Sequence, residues 1–329
     1  MPLLTRLPPE SAHRLGLATL EALRPLWPKV DAPATLAVQC AGLRFAHPLG
    51  LAAGFDKNAD HLDALGALGF SHVEIGTVTP RPQAGNPRPR MFRIRAAGAL
   101  VNRMGFNNAG AEHVAARLAR SRYGGVRGVS IGKNFDTPIE NAAEDYLRCF
   151  ERLYDHAGYF AINVSSPNTA RLRELQAREG LARILGPLLE RRERLAGGGS
   201  RRVPIFVKIA PDLQDEQIDD LAAQLPALGA DGVIATNTSN RLERFATALP
   251  AGASGGLSGR PLHRLSVAAI RRLRAGLPPG FPIVGVGGIG DAAAALETLA
   301  AGATLIQVYT GFAYRGPELI EEILDGIAG

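Results

Sequence analysis

Between Phe160 and Thr169 the chain passes from an apolar, β-branched run into hydroxyls, a proline and flanking amides. Such a stretch reads as a buried strand that delivers polar groups at its carboxyl end. Asn163 and Asn168 can each donate and accept, Ser165 and Ser166 carry hydroxyls, and Pro167 stops the strand from continuing. The same residues are ordinary turn formers, so taken alone the stretch fits a simple chain reversal equally well. The balance shifts because polar residues follow other apolar runs too: Asp56 and Lys57, Thr77, Lys133 and Asn134, Lys208, and Thr236 to Thr238. A turn or a helix cap explains any one of these. It does not require a lysine at the end of the apolar run Ile205 to Lys208, where an ammonium costs free energy unless something anionic pairs with it.

A second pattern concerns phosphate. Gly285 to Gly290 and Tyr309 to Phe312 are glycine-containing turns, and Ser254 to Pro261 is a third Gly-rich loop. Glycine lets backbone N–H groups approach a phosphate closely, and a following helix points its positive end at it. At strands seven and eight of a barrel this is the recurrent phosphate position, so a phosphate-bearing ligand is expected.

Positioning these groups requires a repeating scaffold. Apolar strand-like runs at 49–53, 72–75, 128–131, 160–164, 205–209, 232–236, 283–286 and 305–308 alternate with helical patterns near 58–69, 111–121, 140–155, 178–196, 214–227, 263–275, 291–301 and 316–327. Eight strand-helix units are the number that closes a (β/α)8 TIM barrel, which puts all the strand ends around one mouth. A doubly wound open α/β sheet is the alternative, though eight evenly spaced parallel strands are rarely needed there. Val38 to Phe45 reads as a hairpin around Ala41 and Gly42. Residues 79–108, rich in Pro and Arg, are too long for an ordinary loop and read as a hairpin or cover over the mouth. Pro8 to Trp27 reads as a short helical pair with an apolar side and with Arg14, Glu21 and Arg24 on another. Two meanings stay open for it: a helix packed on the domain, or an interfacial element dipping Leu and Trp into a membrane. The division expected is 1–37 as a helical extension and 38–329 as the barrel.

Composition narrows the function classes. With 38 glycines and 23 prolines spread through 329 residues and no low-complexity tract, the whole chain should fold. The longest uncharged runs are too short to span a bilayer, and no signal-peptide apolar region opens the chain. Cys40 and Cys149 lack CxxC spacing, and the seven histidines show no ligand pairing, so no metal is expected. The formal charge of +6 is carried by dispersed arginines without an aromatic stacking platform, which argues against nucleic acid. An anionic cofactor, substrate or membrane surface suits that charge equally well.

Eight motifs in order, Ala52 to Asn58, Gly76 to Gln83, Asn102 to Asn108, Ile162 to Thr169, Val207 to Asp212, Ala235 to Thr238, Gly255 to Pro261 and Gly285 to Ile289, resemble the quinone-dependent (class 2) dihydroorotate dehydrogenases. The resemblance covers nearly the whole chain, including the N-terminal extension. It implies an FMN-containing barrel that turns (S)-dihydroorotate into orotate in pyrimidine biosynthesis while reducing a membrane quinone. It implies Ser166 as the base that takes the proton from carbon 5 as hydride leaves carbon 6 for the flavin, with Thr169 and Phe106 standing where a supporting relay would be. Substrate contacts carried over are Lys57 at the carboxylate, Asn102, Arg103, Met104, Gly105 and Phe106 in the insertion, and Asn163, Asn168, Asn237 and Thr238. For the flavin they are Ala53, Gly54, Phe55, Asp56, Lys57, Thr77, Asn163 and Thr236 along the ring and ribityl chain. Lys208 stands at the ring's N1 and O2, and Gly259, Gly288, Tyr309 and Thr310 stand at the phosphate. Ser130 occupies a position where the family commonly has Asn, so a flavin contact there is lost or passes through water. The resemblance also favours the membrane reading of residues 1–30, as a quinone entrance and peripheral contact on the cytoplasmic face of the cell membrane, in a monomer. The soluble class 1 relatives carry Cys at the base position, where this chain has Ser166.

Overall fold

In the computed structural model, which describes residues 6–27, 33–169, 171–199, 201–250 and 252–329, the apolar runs become eight strands. They are β1 (Leu49–Leu51), β2 (His72–Val78), β3 (Val126–Ile131), β4 (Tyr159–Asn163), β5 (Ile205–Ile209), β6 (Gly232–Ala235), β7 (Ile283–Val286) and β8 (Leu305–Val308). Each pairs in parallel with the next in the chain, and β8 pairs with β1, so the barrel is closed and the open sheet is excluded. Helices follow where the 3.6-residue pattern puts them, from Leu62–Ala67 after β1 to Glu318–Ala328 after β8.

Strand alternation divides the core in two. Outward residues such as Val73, Ile75, Val129 and Ile162 pack under the helices in the main cluster. Inward residues, among them Tyr159, Ala161, Phe206, Ile234, Val284 and Leu305, form a second cluster that also contains Cys40 and Phe45. Those two come from the expected hairpin, Val38–Cys40 against Leu43–Phe45. Ala41 (φ 50°) and Gly42 (φ 77°) both turn left-handed, as a two-residue hairpin loop requires. The hairpin packs beneath the barrel, with the Phe45 ring 5.2 Å from His72.

The insertion is a cover with one strand more than expected. Met91–Ile94 pairs with Ala99–Asn102, and Gly256–Gly259 adds a third antiparallel strand beside Ala99–Asn102. The Gly-rich reading of Ser254 to Pro261 as a loop is therefore corrected. The glycines permit close backbone approach, since a side chain on Gly259 (φ 97°) would collide with the Gly98 carbonyl.

The N-terminal segment also differs from its reading. It is one helix, Pro9–Leu23, followed by a 3-10 turn, Arg24–Leu26, in place of two helices. Pro25 lies in that turn, where its missing N–H is tolerated. Leu17 enters the main core, whereas Leu15, Leu23 and Leu26 stand 49, 41 and 78 % exposed.

Candidate active site

The strand ends converge on a cleft of about 1020 Å³, counting its open mouth. Inward side chains at successive ends must meet there, and they do so through shared hydrogen bonds. Asn163, ending β4, donates to Thr77 Oγ1 (2.8 Å) and accepts from Asn237 Nδ2 (3.2 Å). Asn237 also donates to Ser165 Oγ (3.0 Å), and its Oδ1 accepts the Thr238 N–H (2.8 Å). Asn168 reaches across to the insertion and donates to the Asn102 carbonyl (3.1 Å). Ser166 is 6 % exposed, and its Oγ accepts the Asn168 N–H (3.2 Å). Buried amides fixed in this way present a set pattern of donors and acceptors to whatever enters.

Two lysines face the cleft from different settings. Lys57 donates to the Gly54 carbonyl (2.7 Å). Burial pushes its ammonium down to about 8, Arg90 adds to the effect, and Asp56 and Glu10 oppose it. Lys208, 5 % exposed, lies 3.2 Å from Glu74 Oε1 inside the barrel. The anion that this lysine needs is thus supplied by β2 itself.

At the other end of the cleft Gly259 and Gly288 have φ of 97° and 75°, and a Cβ on Gly288 would lie 2.5 Å from the His263 nitrogen. Thr310 shares a 2.9 Å hydrogen bond with Ser258. One expectation is corrected here. The helix Ala292–Ala300 after β7 does not offer a free positive end, because Asp291 accepts the Ala294 N–H (2.8 Å) and Glu322 the Ala292 N–H (3.1 Å). The residues that line this end of the cleft are the glycine turn before that helix and Thr310 and Gly311 after β8.

A second cavity, about 1300 Å³ with its opening, lies between the N-terminal helix and the barrel. Leu17, Leu20 and Trp27 line one side, Phe55, Leu100 and Phe312 the other. His13 donates to the Phe55 carbonyl (2.8 Å). Burial pushes the His13 imidazole down to about 4, with Lys57 adding to the shift, so it is uncharged near neutrality. Tyr309 borders both cavities, its hydroxyl on the Gly54 carbonyl (3.3 Å) and its ring 5.5 Å from Phe55.

The family described as dihydroorotate dehydrogenase matches residues 35–329. The chain belongs to that family. It is 52 % identical to the dihydroorotate dehydrogenase (quinone) of Azotobacter vinelandii, over 99 % of this chain and 95 % of that one. It is 49 % identical to the dihydroorotate dehydrogenase (quinone) of a Pseudomonas putida strain, over 99 % and 96 %. Among solved structures it resembles the DHODH of Eimeria tenella in complex with ferulenol, with a TM-score of 0.88 and 37 % identity over 97 % of this chain and 90 % of that one. The likeness to the quinone-type members extends over the N-terminal helix, which precedes the part shared by the family as a whole.

Most residues expected at a family site line the cleft: Lys57, Asn102, Met104, Gly105, Phe106, Asn163, Ser166, Asn168, Asn237 and Thr238, and also Ala53, Gly54, Thr77, Lys208, Thr236, Gly259, Gly288, Tyr309 and Thr310. Five stand elsewhere. Arg103 turns outward to donate to the Pro89 carbonyl (3.0 Å). Phe55 faces the second cavity. Asp56 accepts the N–H groups of Asn58, Asp60 and His61 and so braces the loop after β1. Ser130 is fully buried, its Oγ 3.0 Å from Thr77 Oγ1, and it reaches the cleft only through that threonine. Thr169 is buried beside the serine loop without lining the cleft. Sequence reasoning missed Gln307 and Ser258, which line the cleft, and Glu74 below it. A period-two reading of β2 and β8 puts Glu74 and Gln307 on the inward face and could have found both.

Proposed function

We infer that the chain oxidises (S)-dihydroorotate to orotate and passes the electrons to a quinone, a step of pyrimidine synthesis, with FMN as its flavin. One observation carries the reading beyond family membership: a polar cleft and an apolar cavity share Tyr309 as a wall, so two chemically unlike reactants can be served from one centre. The residues present suit a flavin. Gln307 Oε1 lies buried without a partner among the described residues at the floor of the cleft, Lys208 lines the same floor, and glycines that admit no side chain form the far end.

When bound, the flavin supplies the two-electron acceptor that no protein side chain provides. The protein's own part is to bind, orient and move a proton. Lys57 attracts the substrate carboxylate, while the amides of Asn102, Asn163, Asn168 and Asn237 match its ring donors and acceptors and reject analogues that leave them unpaired. Ser166 takes the proton from carbon 5 as carbon 6 gives up hydride, so the carbon–carbon double bond forms with both hydrogens accounted for. Gly259, Gly288 and Thr310 would hold the phosphate, and Lys208 would supply a positive charge to the flavin's ring.

The exposed Leu15, Leu23 and Leu26 support a peripheral membrane contact through the N-terminal helix, at the cytoplasmic face, with quinone entering the apolar cavity. No helix among the described residues is long and apolar enough to cross a membrane. Residues 1–5 and 28–32 of the expected contact and boundary lie outside the described residues. The division at residue 37 and a monomeric state complete the reading.

A visible spectrum tests it. The purified protein should carry flavin absorbance near one FMN per chain, and dihydroorotate should bleach it. A yellow protein that dihydroorotate leaves oxidised would be a different flavin oxidoreductase, and a colourless one would be a nucleotide-binding barrel without this chemistry.

A further inference from the structure

The interior of a (β/α)8 barrel is ordinarily filled by apolar layers. Here one layer is ionic. Glu74, on the inward face of β2, has no exposed surface and accepts from three donors: Lys208 Nζ (3.2 Å), Tyr159 OH (3.0 Å) and Gln307 Nε2 (3.1 Å). Gln307 Nε2 also donates to the Tyr159 oxygen (3.0 Å), which turns its own carbonyl away. That carbonyl oxygen, Oε1, is buried with no hydrogen-bond partner among the described residues. Lys208 and Gln307 line the cleft, whereas Glu74 and Tyr159 do not. Glu74 therefore touches the contents of the cleft only through its two neighbours, and it fixes both: one cation and one free acceptor, side by side.

We propose that Glu74 is a positioning residue that holds Lys208 and Gln307 against the flavin and offsets the lysine's charge, so that the flavin is kept from holding its electrons too tightly. The inference rests on the flavin reading above. An unopposed ammonium in a water-poor site strongly favours negative charge next to it. That helps the ring take electrons from dihydroorotate and hinders their departure to quinone. A carboxylate 3.2 Å behind the ammonium reduces the full charge to a dipole. Dihydroorotate supplies the electron pair and quinone removes it, so nothing further is needed for balance.

Glu74→Gln keeps the shape and removes the charge. The potential of the bound flavin, measured by reductive titration against a dye of known potential, should rise. In rapid mixing, reduction by dihydroorotate should quicken and reoxidation by a quinone should slow, each by about tenfold, the size of one charge-assisted hydrogen bond. Glu74→Asp, which retains the charge, should return the potential most of the way to that of the unaltered protein. If Glu74→Gln does not retain flavin, Tyr159→Phe decides: losing one donor leaves the carboxylate more negative, and the potential should fall. An unchanged potential in flavin-loaded Glu74→Gln, both half-reactions slowing together, or an unchanged potential in Tyr159→Phe overturns the proposal. Absence of flavin from the unaltered protein overturns the flavin reading instead, so the two failures are told apart.

Discussion

The two cavities that meet at Tyr309 are assembled in opposite ways. The cleft is made from strand ends, and its polar side chains are held by one another or by backbone: Thr77 to Asn163 to Asn237 to Ser165 on one side, Asn168 to the Asn102 carbonyl on the other. Such a site discriminates, because a guest with one misplaced group leaves a buried amide unpaired. The second cavity has an apolar lining and one movable-sized wall, a 15-residue helix. That wall is fastened at its edges by polar links: Glu10 in a two-pronged pair with Arg90 (3.0 Å each) and near Arg88 (3.3 Å), His13 on the Phe55 carbonyl, Glu21 near His61 (3.8 Å), Arg93 on the Leu7 carbonyl (2.6 Å) just before the helix and Arg24 near Asp63 (3.4 Å) just after it. Apolar contact is forgiving of shape, so a long, greasy molecule needs little more. On the reading proposed above, the barrel recognises and the helix admits.

This contrast can be broken most severely by removing one side. Deleting Met1 to Lys29 should abolish turnover with a long-tail quinone while FMN stays bound and dihydroorotate still bleaches it; retained quinone turnover would show that the helix is not the entrance. Ser166→Ala strikes the other side. It should keep FMN and orotate binding but slow flavin reduction by about 10²–10⁴-fold, the usual cost of a lost acid-base group. Reoxidation of chemically reduced enzyme by quinone should not change. Unaltered reduction kinetics would remove Ser166 from its role. The smallest expected effect sharpens the picture through pH. Lys57 is held near 8, so it is charged below that value and loses its charge above it. KM for dihydroorotate should rise above pH 8, approaching about tenfold per pH unit, with kcat little affected. A KM that stays flat to pH 9.5 would detach Lys57 from the carboxylate.

The barrel was legible because its signal is repetition. Eight apolar runs at regular spacing leave few alternatives, and the hairpin at Ala41 and Gly42 announced itself by turn chemistry. Gly256–Gly259 was not legible as a strand, since its ladder is provided by Ala99–Asn102, about 155 residues earlier in the chain, and no local pattern encodes that partner. The site was read residue by residue through a family resemblance, and spatial order refined it. Arg103 sits between two cleft residues in sequence, yet in an extended backbone its side chain must face the opposite way from theirs. Ser130 points inward but one step too deep, where Thr77 intervenes. Buried Lys208 signalled an anionic partner correctly, while the identity of that partner, Glu74, depended on which strands lie side by side.

The small hairpin at residues 38–45 has an effect out of proportion to its size. Phe45 and Cys40 fill the barrel's lower end, and the rings of Phe45 and His72 meet there. Above that filled end, the ionic layer around Glu74 adjoins the cleft through Lys208 and Gln307, which line it. A cofactor seated on Lys208 and Gln307, as inferred above, would cover the side of that layer that faces the cleft and so screen its charges from water.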